Sequence, residues 1–251
     1  MKDYSLGLVS VSFRGHTPQT IIEAAAAAGL SCIEWGSDVH ARPTDKEGLR
    51  QIAERQREYG LVTSSYGTYF RLGVTPQDEL FSYIEAARLL GTDTLRLWCG
   101  QKSGAEMTEK ERAELTALCR GAAAMAEAHG VRLCMECHKR TLTENPEDAV
   151  RLIEEVASPA FSMYWQPFQW QGVSENLANA ARVAPYAHHI HVFHWRGDER
   201  LPLGEATDEW RAYLAAFTTP RTLLLEFMPD DRIESLATEA DALRAIIGET
   251  I

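Results

Sequence analysis

Short apolar runs rich in β-branched and aromatic residues recur at residues 6–13, 31–36, 61–67, 94–100, 131–138, 161–167, 188–195 and 222–228. The stretches between them carry helical periodicity and good helix formers. Strand alternating with helix predicts parallel strands joined by crossovers. The runs follow one another at about 30 residues, the pitch at which eight strand–helix units fill a closed barrel of ~250 residues. A doubly wound sheet would carry a glycine-rich phosphate loop after its first strand, whereas the turn here reads Ser12-Phe13-Arg14-Gly15-His16. The pattern therefore predicts the α/β class, as a single (β/α)8 TIM barrel spanning residues 1–251.

Helix punctuation agrees with this pattern. Thr17-Pro18, Thr75-Pro76 and Asn145-Pro146 each set a capping side chain before a proline at the first helical position, and Thr44 with Glu47 and Thr108 with Glu111 fit capping boxes. Gly29, Gly60, Gly91 and Gly130 fall where helices must stop in a left-handed residue before the next strand. The alanine-rich residues 24–28 read as a helix packed closely on a sheet, and no linker or low-complexity tract divides the chain.

Composition narrows the class of partner. At 251 residues, 45% hydrophobic and 24% charged, the chain is ordinary globular material and not disordered, collagen-like or membrane-spanning. Thirty-six acidic against 25 basic residues give a formal charge of -11, a field that repels nucleic acid and anionic membrane and favours a small-molecule partner. Self-association into a homo-oligomer is compatible with this. The five cysteines, Cys32, Cys99, Cys119, Cys134 and Cys137, are odd in number and scattered through apolar runs, so they read as reduced thiols. Residues 1–13 lack a cleavage pattern and the length of a spanning helix, and the expected location is cytoplasmic.

In a barrel, alternate strand residues face inward and chemistry gathers where strands end. If Leu95 and Leu97 face the helices, Arg96 and Trp98 turn inward. By the same alternation Glu136 opposes Leu133 and Met135, Gln166 opposes Met163 and Trp165, His189 and His191 oppose Ile190 and Val192, and Glu226 opposes Leu223 and Leu225. Taken singly, each polar group reads as a satisfied core residue. Two glutamates, a histidine and a carboxamide converging at one barrel mouth can instead ligate a divalent cation.

Cys32-Ile33-Glu34-Trp35-Gly36, Met135-Glu136-Cys137-His138, Tyr164-Trp165-Gln166-Pro167, Ile190-His191-Val192-Phe193 and Leu225-Glu226-Phe227 together make the chain resemble the xylose-isomerase-like barrel superfamily, within its sugar phosphate isomerase/epimerase group. The resemblance implies a divalent metal ion (Mn²⁺, Mg²⁺, Co²⁺ or Zn²⁺) held by Glu136, Gln166, His191 and Glu226. It also implies sugar isomerisation or epimerisation through a metal-stabilised enediolate, with Glu136 and Glu226 as the catalytic acid and base. Gln166 stands where an aspartate is usual, which removes one negative charge and weakens the expected metal affinity. Gln169 stands where a substrate-contacting histidine is common.

Other residues at strand ends are candidate substrate contacts: His138, Gln169, Arg196 or Arg200, Trp98, Tyr66, Glu34 and His40. Trp98 and Trp165 also read as core, and His194 competes with His191 from a less favourable phase. His16, His129 and His188 read as structural or exposed. No P-loop occurs, and the loop Pro229-Asp230-Asp231 is acidic, which points to a non-phosphorylated sugar or keto-sugar. Three rivals remain: a lyase or dehydratase on a keto-sugar or cyclic hydroxyketone, a non-catalytic sugar binder with a decayed metal site, and an abasic-site nuclease. The acidic balance and the few histidines argue against the nuclease.

Overall fold

In the computed structural model, which describes residues 4–218 and 221–248, eight parallel strands close into a barrel. They are β1 (Ser5–Val9), β2 (Cys32–Gly36), β3 (Val62–Leu72), β4 (Thr94–Cys99), β5 (Arg132–Met135), β6 (Phe161–Trp165), β7 (Ala187–Val192) and β10 (Thr222–Leu225). The ring closes through β1 pairing with β10. A small antiparallel hairpin, β8 (Trp195–Arg196) and β9 (Glu199–Arg200), rises from the loop after β7. Helices α1 (Pro18–Ala27), α2 (Lys46–Glu58), α3 (Leu80–Leu90), α4 (Glu109–Ala128), α5 (Pro146–Val156), α6 (Val173–Val183), α7 (Thr207–Ala215) and α8 (Leu236–Ile247) form the outer ring. The (β/α)8 barrel expected from the alternation is the fold observed. No helix among the described residues is long and apolar enough to cross a membrane.

The outward faces of the strands and the inward faces of the helices share one large apolar core, in which Trp165 packs against Trp210, Tyr213 and Phe217. Trp165 is therefore core and not a site residue. A second, smaller apolar cluster of Val9, Val11, Cys32, Cys134, Tyr164 and Leu224 lies separate from it. The register sets the inward residues Arg96 beside Cys134, Tyr164 beside His189 and Leu224 beside His191. All five cysteines are free and buried, as expected for reduced thiols.

Helix punctuation is mostly as read. Thr17 caps α1, Asn145 Oδ1 accepts from the Glu147 and Asp148 amides, and Thr108 with Glu111 closes a full capping box on α4. Gly29, Gly60, Gly91 and Gly130 all adopt positive φ. Two expectations need correction. Asp45, not Thr44, caps α2, because its carboxylate accepts from the Gly48 amide at 2.9 Å. Thr75 does not cap a helix, since its hydroxyl accepts from the Arg71 amide and a short 3-10 turn precedes α3. Several strands also end earlier than expected. Residues 10–13 leave the ladder as a 3-10 turn, and β5, β6 and β10 stop just before Glu136, Gln166 and Glu226.

Candidate active site

Glu136, His191 and Glu226 come from β7 and from the ends of β5 and β10, and all three are buried. Each brings one potential ligand atom, and the three atoms lie within 4.8 Å of one another. Gln166 joins them. Its Nε2 donates to the Cys137 carbonyl at 3.0 Å, which fixes the amide so that Oε1 stands 3.0 Å from His191 Nδ1. Glu226 Oε2 lies 3.4 Å from the same nitrogen. Local backbone helps to aim Glu226: the next residue, Phe227, sits in the left-handed region at φ 56°, costly for a bulky residue, and its amide is held by Ser12 Oγ at 2.8 Å.

Arg96 lies at the centre of the charge arrangement. Its NH1 donates to Glu136 Oε2 at 2.6 Å and its Nε to Glu34 Oε1 at 3.1 Å, with all three side chains buried. Trp98 Nε1 donates to the same Glu136 oxygen at 2.7 Å, so both donors act on Oε2. Glu34 Oε2 accepts from Ser65 Oγ at 2.8 Å, and Glu34 Oε1 lies 3.6 Å from His191 Nε2, an ion-pair distance beyond hydrogen-bond reach. The pair needs room: a Cβ on Gly67 would meet Glu34 Oε1 at 2.7 Å and Arg96 NH2 at 3.0 Å.

These neighbours drive the two catalytic candidates apart. Burial would raise the Glu136 carboxyl, but Arg96 first, then His191, His138 and Trp98, hold it below the usual carboxylate range. Glu226 goes the other way. Burial, opposed by His191 and reinforced by Glu136, lifts it to about 7. Burial would lower His191, but Glu226 and Glu34 raise it to about 9. Glu34, despite complete burial, is held low by His191, Arg96 and Ser65.

The donor set fits a divalent cation. Two carboxylates and an imidazole offer ligand atoms within 4.8 Å of one another, and the carboxamide oxygen of Gln166 and Glu226 Oε2 both stand beside His191 Nδ1. Charge fits as well. With His191 neutral, three carboxylates against one guanidinium leave two negative charges in the buried cluster, the complement of a divalent ion.

A cavity of about 260 Å³ opens above Glu136 and Glu226. Gln166, Trp98, His138 and Gln169 line it. Its walls are otherwise strongly aromatic, with Tyr69, Phe168, Trp170, Phe193, Trp195 and Phe227 among them, and Lys139 lies 4.3 Å over the Trp170 ring. The sequence reading missed these rings, although Phe168, Trp170, Phe193 and Trp195 all follow the ends of β6 and β7.

Five of the proposed substrate contacts do not line the cavity. Glu34 is sealed beneath it by Arg96 and Ser65. Tyr66 is fully buried and donates to the Ala41 carbonyl, while His40 bonds Ser10 Oγ and the His16 carbonyl. Arg196 turns outward to Glu209. Arg200 stacks on Trp195 and Phe227, 4.9 and 4.7 Å from the ring centres, and pairs with Asp231. His194 points at the Pro202 carbonyl, so His191 is the histidine at the ligand cluster. A larger open hollow of about 850 Å³ lies beside Arg132 and His188 at the other end of the strands, away from these groups.

No curated protein sequence matches this chain. Among solved structures it is similar to the probable 3-DHS dehydratase of petrobactin synthesis from Bacillus anthracis (TM-score 0.80, 19% identity, covering 97% of this chain and 98% of that one). It is also similar to a D-psicose 3-epimerase (TM-score 0.69, 16% identity, covering 97% and 99%). A third is a xylose isomerase-like TIM barrel protein from Mycobacterium smegmatis in complex with magnesium (TM-score 0.71, 14% identity, covering 97% and 96%). At such identities the likeness is one of fold. Residues 22–246 match the family described as xylose isomerase-like TIM barrel, and the chain belongs to that family.

Proposed function

We propose that this protein is a sugar isomerase or epimerase that moves a proton at the carbon beside a carbonyl in a small, non-phosphorylated sugar or keto-sugar, with a divalent cation as cofactor. Glu136, His191, Glu226 and Gln166 Oε1 would hold the cation. When bound, it supplies Lewis-acid polarisation of a substrate carbonyl. The observation that carries this reading is the convergence of three buried ligand residues, Glu136, His191 and Glu226, with ligand atoms within 4.8 Å of one another, and Glu136 and Glu226 lining the cavity above them.

Glu226, a carboxylate lining the cavity, is the group to take a proton from carbon and give it back. Glu136 is kept ionised by Arg96 and Trp98, both bonded to Oε2, which leaves Oε1 for a second proton transfer. Isomerisation can use one such group; epimerisation uses both. The aromatic walls cover the apolar faces of a substrate and exclude water, while His138 and Gln169 offer polar contacts to hydroxyl groups.

The test is uptake of solvent deuterium into a panel of aldoses, ketoses and cyclic hydroxyketones with Mn²⁺ or Mg²⁺ present. Glu136→Gln and Glu226→Gln are each expected to lose about 10²- to 10⁴-fold in turnover while remaining folded. Full exchange in both variants would refute the assignment. The aromatic walls also suit a ring-shaped substrate and so keep elimination from a cyclic hydroxyketone as a second reading; loss of water from substrate in place of exchange would select it.

A further inference from the structure

Glu34 is a fully buried carboxylate outside the cavity and unused by the proton transfers above. Three partners converge on it from three other strands: Arg96 Nε at 3.1 Å, Ser65 Oγ at 2.8 Å and His191 Nε2 at 3.6 Å. The Nε2 atom is otherwise an orphaned buried nitrogen, and Glu34 Oε1 lies within ion-pair distance of it. The opposite ring nitrogen, Nδ1, faces Gln166 Oε1 and Glu226 Oε2. An imidazole that ligates a metal through one nitrogen commonly presents the other, protonated, to a carboxylate. Gly67 leaves the space that this carboxylate occupies.

We propose that Glu34 is the positioning residue of the cation site: it holds His191 with Nε2 protonated and Nδ1 free for the ion, and supplies the buried negative charge that Gln166 does not. This rests on the cation reading above. In the loaded protein Glu34 touches neither ion nor substrate. It acts through His191 from one side and through Arg96, shared with Glu136, from the other.

The experiment measures Mn²⁺ and Mg²⁺ affinity by calorimetry in the wild-type chain, Glu34→Gln and Glu34→Gln/Gln166→Asp. It adds the ¹⁵N spectrum of His191 in the Mg²⁺-loaded wild type. Glu34→Gln is expected to weaken affinity by about 10- to 100-fold. Adding a carboxylate with Gln166→Asp should recover part of that loss, and the tautomer of His191 in the loaded wild type is the readout that a merely structural role for Glu34 would not set. The loaded wild type should show His191 protonated at Nε2. Unchanged affinity in Glu34→Gln, or a loaded His191 protonated at Nδ1, overturns the inference while leaving the cation site intact. Should Glu34→Gln fail to fold, the wild-type spectrum decides. A wild-type chain that binds neither ion overturns both the inference and the cofactor reading beneath it.

Discussion

Gln166 carries no charge and spends its Nε2 on the Cys137 carbonyl, so a single neutral oxygen faces His191. An aspartate there would put a third carboxylate beside Glu136 and Glu226 around a bound ion. Gln166→Asp is therefore expected to tighten Mn²⁺ binding by about tenfold, the order seen when a ligand or its support changes. Calorimetric titration checks this; unchanged or weaker binding would contradict the charge argument. The inward phase of Arg96, Glu136, Gln166, His191 and Glu226 was legible because side chains alternate along a strand. Whether an inward residue meets the cavity or another side chain was not legible. Glu34 and Tyr66 were expected at strand ends like Trp98, yet both lie within their strands, β3 running on to Leu72, where Glu34 is sealed by Arg96 and Tyr66 donates to the Ala41 carbonyl.

Caps and helix stops are local devices, and that is why they survive from sequence to structure. Asn145 accepts from two amides at the start of α5, whose loop leads directly from Glu136 and His138. Asn145→Ala is expected to cost about 1 kcal/mol, or roughly 2–4 °C in melting temperature for a chain of this size. Turnover should hold, because the cap lies outside the cavity. A melt indistinguishable from wild type would mean that tertiary packing alone holds the first turn. The two misread starts have the same physical origin. At Thr44-Asp45 two neighbouring side chains can cap, and at Thr75 the hydroxyl found a nearer donor in the Arg71 amide; composition ranks neither. The hairpin β8–β9 carries no signal beyond Gly197, yet it supplies Trp195 to the cavity wall.

The buried charge cluster also governs how the whole molecule responds to pH. Without metal, His191 is raised from 6.5 to about 9, so its contribution to stability is full below pH 6.5 and is lost as pH rises through about 9. Glu226, raised from 4.5 to about 7, loses its contribution in the same direction as pH passes about 7. Glu34 and Glu136 are lowered from 4.5, so their contributions are present above that value and lost as pH falls. Metal-free protein is expected to be most stable near pH 4.5, to lose the Glu226 contribution between 4.5 and about 7, and to lose that of His191 between 6.5 and about 9. A melting temperature that stays level over the alkaline half would show that the cluster does not control the fold. The sequence by itself determined the barrel, the inward phase of each polar residue and the free thiols, since these follow from local periodicity and from composition. Only the tertiary structure decided the partnerships, because Arg96 reaches Glu34 across 62 positions of chain. Such distances exist only once the ring has closed in one register, and that closure separates the residues that face a guest from those that hold them in place.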